Sequence, residues 1–384
     1  MLNENPDQIR ERRGLSVKWN SYEKDVIPLW VADMDLPTPP EVTQTLLDTI
    51  SRSDLGYPSK QLYDRYLTSL NHWSEDHFGY SYKADELEPV GDVVQAIYWA
   101  TKQLPGDSVI FLTPAYPPFF RAVKESGKEA VTSQMPLLAG SYQIDMEDLR
   151  EKVRKHPNSI LLLCNPHNPT GRVFTRAELE SLAEMALEND LWVISDEIHR
   201  DILFEDHVHI PFSSISPEVE ARTVSLISGS KTFNIAGLHA AAVHIPAGTP
   251  SETMRLIPKG LLSGPSSLGM LASAVAFETS GTWLNDTLNY ISHNREALSD
   301  FSTASKVNAA IPEGTYMSWI DLAPHLPADD DNAYEYLLRE AKLALSPGLD
   351  FLPVGGETHV RINLATSHQT IEESLRRLKS AIGL

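Results

Sequence analysis

Three polar motifs carry the residues of this chain best equipped for chemistry. Asn165-Pro166-His167-Asn168-Pro169-Thr170-Gly171 combines amides, an imidazole and a hydroxyl. Asp196-Glu197-Ile198-His199 joins two carboxylates to a second imidazole. Ser228-Gly229-Ser230-Lys231-Thr232-Phe233-Asn234 sets a lysine among small hydroxyls. Each motif alone is explained by turn chemistry, a helix cap or a solvated loop. Together they supply the groups that a pyridine cofactor with a phosphate tail requires. A carboxylate beside the ring nitrogen keeps it protonated, so that the ring accepts electrons. A lysine forms an imine with the aldehyde, and its freed amine later moves protons. Hydroxyls and backbone N–H groups at a helix start bind the phosphate. The chain has no G-x-G-x-x-G, no G-x-x-x-x-G-K-[ST] and no H-E-x-x-H. His207-Val208-His209 reads as incidental rather than as a ligand pair, and no metal is expected.

The elements that must position these motifs are visible in the hydrophobic pattern. Apolar runs at Ser108 to Leu112, Ser159 to Cys164, Leu191 to Ser195, Thr223 to Ser228 and Ala240 to Ile245 predict strands. They are apolar on both faces and separated by helix-length amphipathic segments, which predicts a mostly parallel sheet covered on both sides. Thr175 with Glu178 three residues later is a capping box opening one such helix. All three polar motifs follow the carboxyl ends of predicted strands, where ligands gather in open α/β sheets. The carboxyl-terminal third predicts helices over Trp283 to Ser305, Asn332 to Leu343 and Ile371 to Ile382. Strands are expected at Thr315 to Leu322 and Val360 to Leu364. The expected organisation is a large domain, 40–280, and a smaller α+β domain built from 1–39 and 281–384.

At these motifs the chain resembles the fold-type I pyridoxal-phosphate enzymes of the class I/II aminotransferase group. Pro28-Leu29-Trp30-Val31-Ala32-Asp33-Met34-Asp35, Pro114-Ala115-Tyr116-Pro117-Pro118-Phe119 and Lys231-Thr232-Phe233-Asn234-Ile235-Ala236-Gly237-Leu238 look most like its MalY/PatB cystathionine β-lyase branch. The resemblance implies pyridoxal 5'-phosphate as cofactor and elimination from cystathionine or cysteine conjugates, giving thiol, pyruvate and ammonia. It implies that Lys231 forms the imine and acts as general base, and that Asp196 pairs with the ring nitrogen. Asn168 would bond the ring's phenolate oxygen, Tyr116 would stack on the ring, and His199 would stand near that same oxygen. Ser228, Ser230 and the N–H groups of Val93 and Val94 would hold the phosphate, with Tyr57 reaching in from a neighbouring subunit. Arg361 would grip the substrate carboxylate, and Trp30 would lie close to the substrate, as would Tyr57 and Asn168. Asp92 departs from the glycine usual in the branch; it is expected to point away from the phosphate and cap the helix instead. Two other functions stay open on the residues alone: transamination through the same carbanion, and a regulatory binding role on a retained fold.

Composition narrows the partners. The chain has 384 residues, with 32 Lys plus Arg against 52 Asp plus Glu and a formal charge of -20. That field repels phosphate backbones, so nucleic acid is not an expected partner. One cysteine, Cys164, excludes an internal disulfide and suits a reducing cytoplasm. Met1 to Asp7 has no charged start leading into an apolar run, so no secretory signal is expected. Leu268 to Phe277 is too short to span a membrane and predicts a buried helix. A Tyr57 that serves a neighbouring site requires at least a homodimer.

Overall fold

The computed structural model describes residues 4–138, 140–205, 207–256, 262–327, 330 and 332–384. The reading of Met1 to Asp7 therefore falls partly outside the described residues. The central sheet has seven strands: β1 (Leu87–Val90), β2 (Ser108–Thr113), β3 (Glu129–Gln134), β4 (Ser159–Cys164), β5 (Trp192–Asp196), β6 (Thr223–Ile227) and β7 (Ala241–His244). Their spatial order is β1-β7-β6-β5-β4-β2-β3. Strands β2 to β6 run parallel, and β7 is antiparallel to both its neighbours. Every residue of β2, β4, β5, β6 and β7 is buried, as the two-sided apolar pattern requires.

Helices cover both faces. Among those that matter for the site are α1 (Lys60–Phe78), α2 (Val93–Gln103), α3 (Arg176–Glu188) and α4 (Ser267–Thr279). In α3 the Thr175 side chain accepts from the Glu178 N–H and Glu178 reaches back to Thr175, so the capping box forms as written in the sequence. Helix α4 buries eight of its residues, including Met270 and Phe277, and packs on α1.

The carboxyl-terminal part builds a second sheet from Asn308–Ala309, Met317–Asp321, His359–Asn363 and Ser346–Pro347, all antiparallel neighbours in that order. The long helix Gly281–Ser305 and the last helix His368–Ala381 pack against one another beside it. Ile27, Leu29, Met34 and Leu36 share one apolar cluster with Ile291, Met317, Leu343, Ile362 and Leu378. The amino-terminal segment is thus tied to elements more than 250 residues away. No helix among the described residues is long and apolar enough to cross a membrane.

Candidate active site

The carboxyl ends of β4, β5 and β6 open into a cleft. Its walls include Asp92, Val93, Val94, Tyr116, Asn168, Asp196, His199, Ser230 and Lys231. Nine of the residues expected at a cofactor site from the sequence, or flagged beside it, therefore meet in one place. Asn168 is delivered by the turn after β4, where Gly171 adopts φ +73°. A Cβ at Gly171 would also fall 2.5 Å from Pro312 Cβ, so the turn demands glycine twice over. Asp196 ends β5, and its carboxylate accepts the Ile198 N–H at 3.2 Å.

Lys231 is half-buried, and its Nζ donates to the Ala32 carbonyl at 2.7 Å. Among the described residues no carboxylate lies within ion-pair distance of it. Burial lowers its pKa to about 8, with Arg361 pushing the same way and Asp33 and Asp196 opposing. Asp196 moves the other way: burial raises it to about 7, opposed by the Ile198 N–H and Lys231. Burial drops His199 to about 3, so it is neutral at any working pH. Its Nδ1 is buried without a partner. A buried polar atom left unpaired is costly, and such atoms belong where a ligand completes the pairing.

Arg361 sits on the second sheet and reaches the cleft through Asn168. Its Nη1 donates to Asn168 Oδ1 at 2.9 Å, and its Nη2 donates to the Trp30 carbonyl at 2.7 Å and to Ser346 Oγ at 3.1 Å. The Nε–H is buried and unpaired. Burial lowers the guanidinium to about 10, which still leaves it charged.

The segment 30–36 holds this constellation through its backbone. Ala32 O also accepts from Tyr316 Oη at 3.2 Å. Asn363 Nδ2 donates to Val31 O and to Asp33 O, both at 2.8 Å. Asn234 Nδ2 donates to Met34 O at 3.2 Å and to Leu36 O at 2.7 Å. Sequence reasoning missed Ala32, Tyr316 and Asn234, because a carbonyl acceptor leaves no mark on residue type.

Four expected residues sit elsewhere than at the cleft wall or play another part there. The Ser228 hydroxyl donates to the Ala240 carbonyl at 2.7 Å and accepts the Ser230 N–H at 3.1 Å, so it orients Ser230 rather than lining the cleft. The Trp30 indole stands edge-on to Tyr22, with ring centroids 6.2 Å apart, and only its carbonyl serves Arg361. Tyr57 is fully exposed, on a neighbouring cleft that shares His239 with the first. Asp92 caps α2 through the Gln95 N–H at 2.8 Å, as expected, yet it also lines the cleft. Capping fixes one carboxylate oxygen and leaves the second beside the ligand space. The incidental pair resolves into separate contacts: His209 Nε2 lies 3.3 Å from buried Glu197, and His207 Nδ1 lies 2.9 Å from the Phe204 carbonyl.

The arrangement is an open α/β sheet with a half-buried amine, a buried carboxylate and a helix start converging at its strand ends. Residues 24–378 match the aminotransferase class I and II family, and the chain belongs to that family. It is 32% identical to cystathionine β-lyase PatB of Bacillus subtilis, over 98% of this chain and all of that protein. Cystalysin from Treponema denticola, whose crystal structure contains pyridoxal 5'-phosphate, is 31% identical and superposes with a TM-score of 0.90 over 99% of both chains. The pyridoxal-phosphate-bound C–S lyase from Staphylococcus hominis is 29% identical, with a TM-score of 0.89 over all of this chain and 99% of that one.

Proposed function

We propose that this protein is a pyridoxal-phosphate-dependent C–S β-lyase acting on cystathionine or related cysteine S-conjugates. The observation that carries the reading is the convergence of Lys231, Asp196, Tyr116 and the start of α2 in one cleft. The residues fit the cofactor in their donor set. The orphaned His199 Nδ1 and the uncompensated Asp196 carboxylate are the partners a polar, positively charged ring would satisfy.

When bound, pyridoxal phosphate supplies an electron sink for the negative charge left at the substrate α-carbon. The remaining work falls to the chain. Arg361 binds the substrate carboxylate, already oriented by Asn168, Ser346 and the Trp30 carbonyl, so little side-chain freedom is lost at binding. Lys231, with its pKa lowered to about 8, is partly neutral near pH 7 and takes the α-proton as general base. The Ala32 carbonyl holds the Nζ in place for that transfer. Asp196 would hold the ring nitrogen protonated, and Tyr116 would lie against the ring. Val93, Val94 and Ser230 would take the phosphate at the helix start. Loss of the thiol from Cβ and hydrolysis then give pyruvate and ammonia.

The reading extends to assembly and organisation. Fully exposed Tyr57, with exposed Leu55 beside it on the cleft that shares His239, supports a homodimer in which Tyr57 serves the partner's site. Light scattering on the loaded enzyme should give twice the chain mass of 42.7 kDa, and a monomer would end this assignment. The cluster joining Ile27 to Leu378 supports a small domain of 1–39 with 281–384 beside a large domain of 40–280. Its single cysteine, buried Cys164, supports a cytoplasmic setting.

The test of the reaction is incubation with L-cystathionine in the absence of any 2-oxo acid. Equal amounts of pyruvate, ammonia and thiol are expected. Product that forms only after a 2-oxo acid is added would replace the lyase with an aminotransferase.

A further inference from the structure

One residue behind the cleft wall, a chain of buried polar side chains joins two of the site motifs. Asn165 and Glu197 directly follow Cys164 and Asp196, which line the cleft. The Phe174 N–H donates to Asn165 Oδ1 at 3.0 Å, which leaves the Asn165 amide nitrogen facing His209 Nδ1 at 3.5 Å. His209 Nε2 lies 3.3 Å from Glu197 Oε2. Glu197 Oε1 accepts from Ser195 Oγ at 2.9 Å and from the Phe212 N–H at 3.1 Å. Asn165, His209 and Glu197 are each at most 2% exposed. One proton placement satisfies every member: Nδ1 accepts from Asn165, and Nε2–H donates to the carboxylate. The imidazole stands edge-on to Phe78, the last residue of α1, with ring centroids 5.3 Å apart.

Three segments meet in this chain. Asn165 opens the loop that delivers Asn168, and Phe174 closes it. Glu197 belongs to the turn that follows Asp196, and His209 belongs to neither. The Asn165 N–H donates to the Asp196 carbonyl at 3.1 Å, so the two motifs are already tied once through the backbone. His209 ties them a second time through side chains. Asn168 in turn accepts from Arg361 Nη1 at 2.9 Å. We propose that His209 is a positioning residue, bracing the 165–174 loop against the Glu197 turn and so setting Asn168 and Arg361 for cofactor and substrate carboxylate. The proposal rests on the roles given to those two residues in the proposed function. Removing the imidazole strands the Asn165 amide N–H and one Glu197 oxygen in the interior, and relief of that cost moves the loop. A misplacement of about 1 Å at a reacting group costs up to about 100-fold in rate.

The test uses the pyridoxal-phosphate-loaded protein with two readouts: the visible circular dichroism of the bound cofactor, and KM for L-cystathionine in pyruvate release. His209→Leu removes both polar contacts, and should raise KM about tenfold and alter the cofactor's dichroism. His209→Gln keeps one N–H and one acceptor, and should stay within about threefold of wild type with the wild-type dichroism. In an Asn168→Ala background, His209→Leu should add less than about a twofold change, because the residue it acts through is gone. A general loss of packing would act equally in both backgrounds, and that result would overturn the brace. So would equal effects of Leu and Gln, or a His209→Leu protein indistinguishable from wild type. If His209→Leu does not fold, His209→Asn takes its place with the same effects expected, since its shorter side chain meets Asn165 and leaves Glu197 unreached. Should the wild type release no pyruvate from L-cystathionine, the lyase reading falls, while the dichroism of the variants still decides the brace.

Discussion

Two lysine–aspartate combinations lie in the interior of this protein, and they are built on opposite principles. Lys18 and Asp35 are both completely buried, with Nζ 2.7 Å from Oδ2. Lys18 also donates to the Asp33 carbonyl at 3.1 Å, and Asp35 Oδ1 accepts from Trp19 Nε1 at 2.7 Å. Every charge there meets a partner. Lys231 and Asp196 share the cleft without meeting one another: one donates to a carbonyl and the other accepts a single backbone N–H. Burial then displaces both pKa values toward neutrality, to about 8 and about 7. A fully paired buried charge fixes a conformation, whereas a buried charge left short of partners is poised to exchange a proton or bind a ligand.

The contrast is open to direct attack. On the proposed function, Lys231→Ala removes both the base and the cofactor's anchor and should cut pyruvate release from L-cystathionine by about 10⁴-fold or more. It should also abolish borohydride fixation of the cofactor, while the urea midpoint stays close to wild type. Lys18→Met should do the reverse. Stranding the Asp35 carboxylate in the interior should cost about 3–5 kcal/mol of stability in urea titration. The double variant Lys18→Met, Asp35→Leu should recover much of that loss if pairing, rather than charge, is what matters. A large loss of stability in Lys231→Ala would erase the distinction.

The smallest effect is a pH slope. Asp196 in the folded, unliganded chain has a raised pKa, so it favours folding while protonated. That contribution is complete below the ordinary carboxylate range and is lost as pH rises through about 7. Lys231, at about 8, stays mostly charged from pH 5 to pH 7 and adds little slope there. Burial lowers His199 and His167 to about 3, and they oppose the Asp196 loss with a rise in stability up to the ordinary histidine range, so the Asp196 contribution is read by difference. The urea midpoint of the unliganded wild type should fall relative to that of Asp196→Asn from pH 5 to pH 7, and a constant difference would remove Asp196 as a source of slope.

What could be read in advance follows from where residue type carries the information. Strands β4, β5 and β6 are buried on both faces, so their runs of Leu, Ile and Val marked them to within a residue or so. Strand β3 alternates exposed and buried residues, and β1 includes Glu88 and Pro89; neither announced itself as a strand. The site motifs were legible because Lys231, Asp196 and Asn168 bring their side chains to one cleft from strand ends. Ser228 was misjudged because two serines flanking one glycine look alike in sequence. Only the structure shows that one turns to the Ala240 carbonyl and the other to the cleft. His209 was set aside, since its meeting with Asn165 and Glu197 depends on three segments that only the fold brings together.

The carbonyl row of segment 30–36 has a further consequence. Lys231, Arg361, Asn363, Asn234 and Tyr316 all lean on main-chain oxygens. Main-chain acceptors survive side-chain replacement, so the oxygens that hold the reacting groups do not depend on residue type, while the Asp35 pair with Lys18 and the core side chains Met34 and Leu36 fix the path of the segment. The same row is vulnerable to a one-residue insertion, which would slide each oxygen past its donor. The length and backbone path of this stretch therefore bear on the cleft directly, through oxygens that no substitution removes.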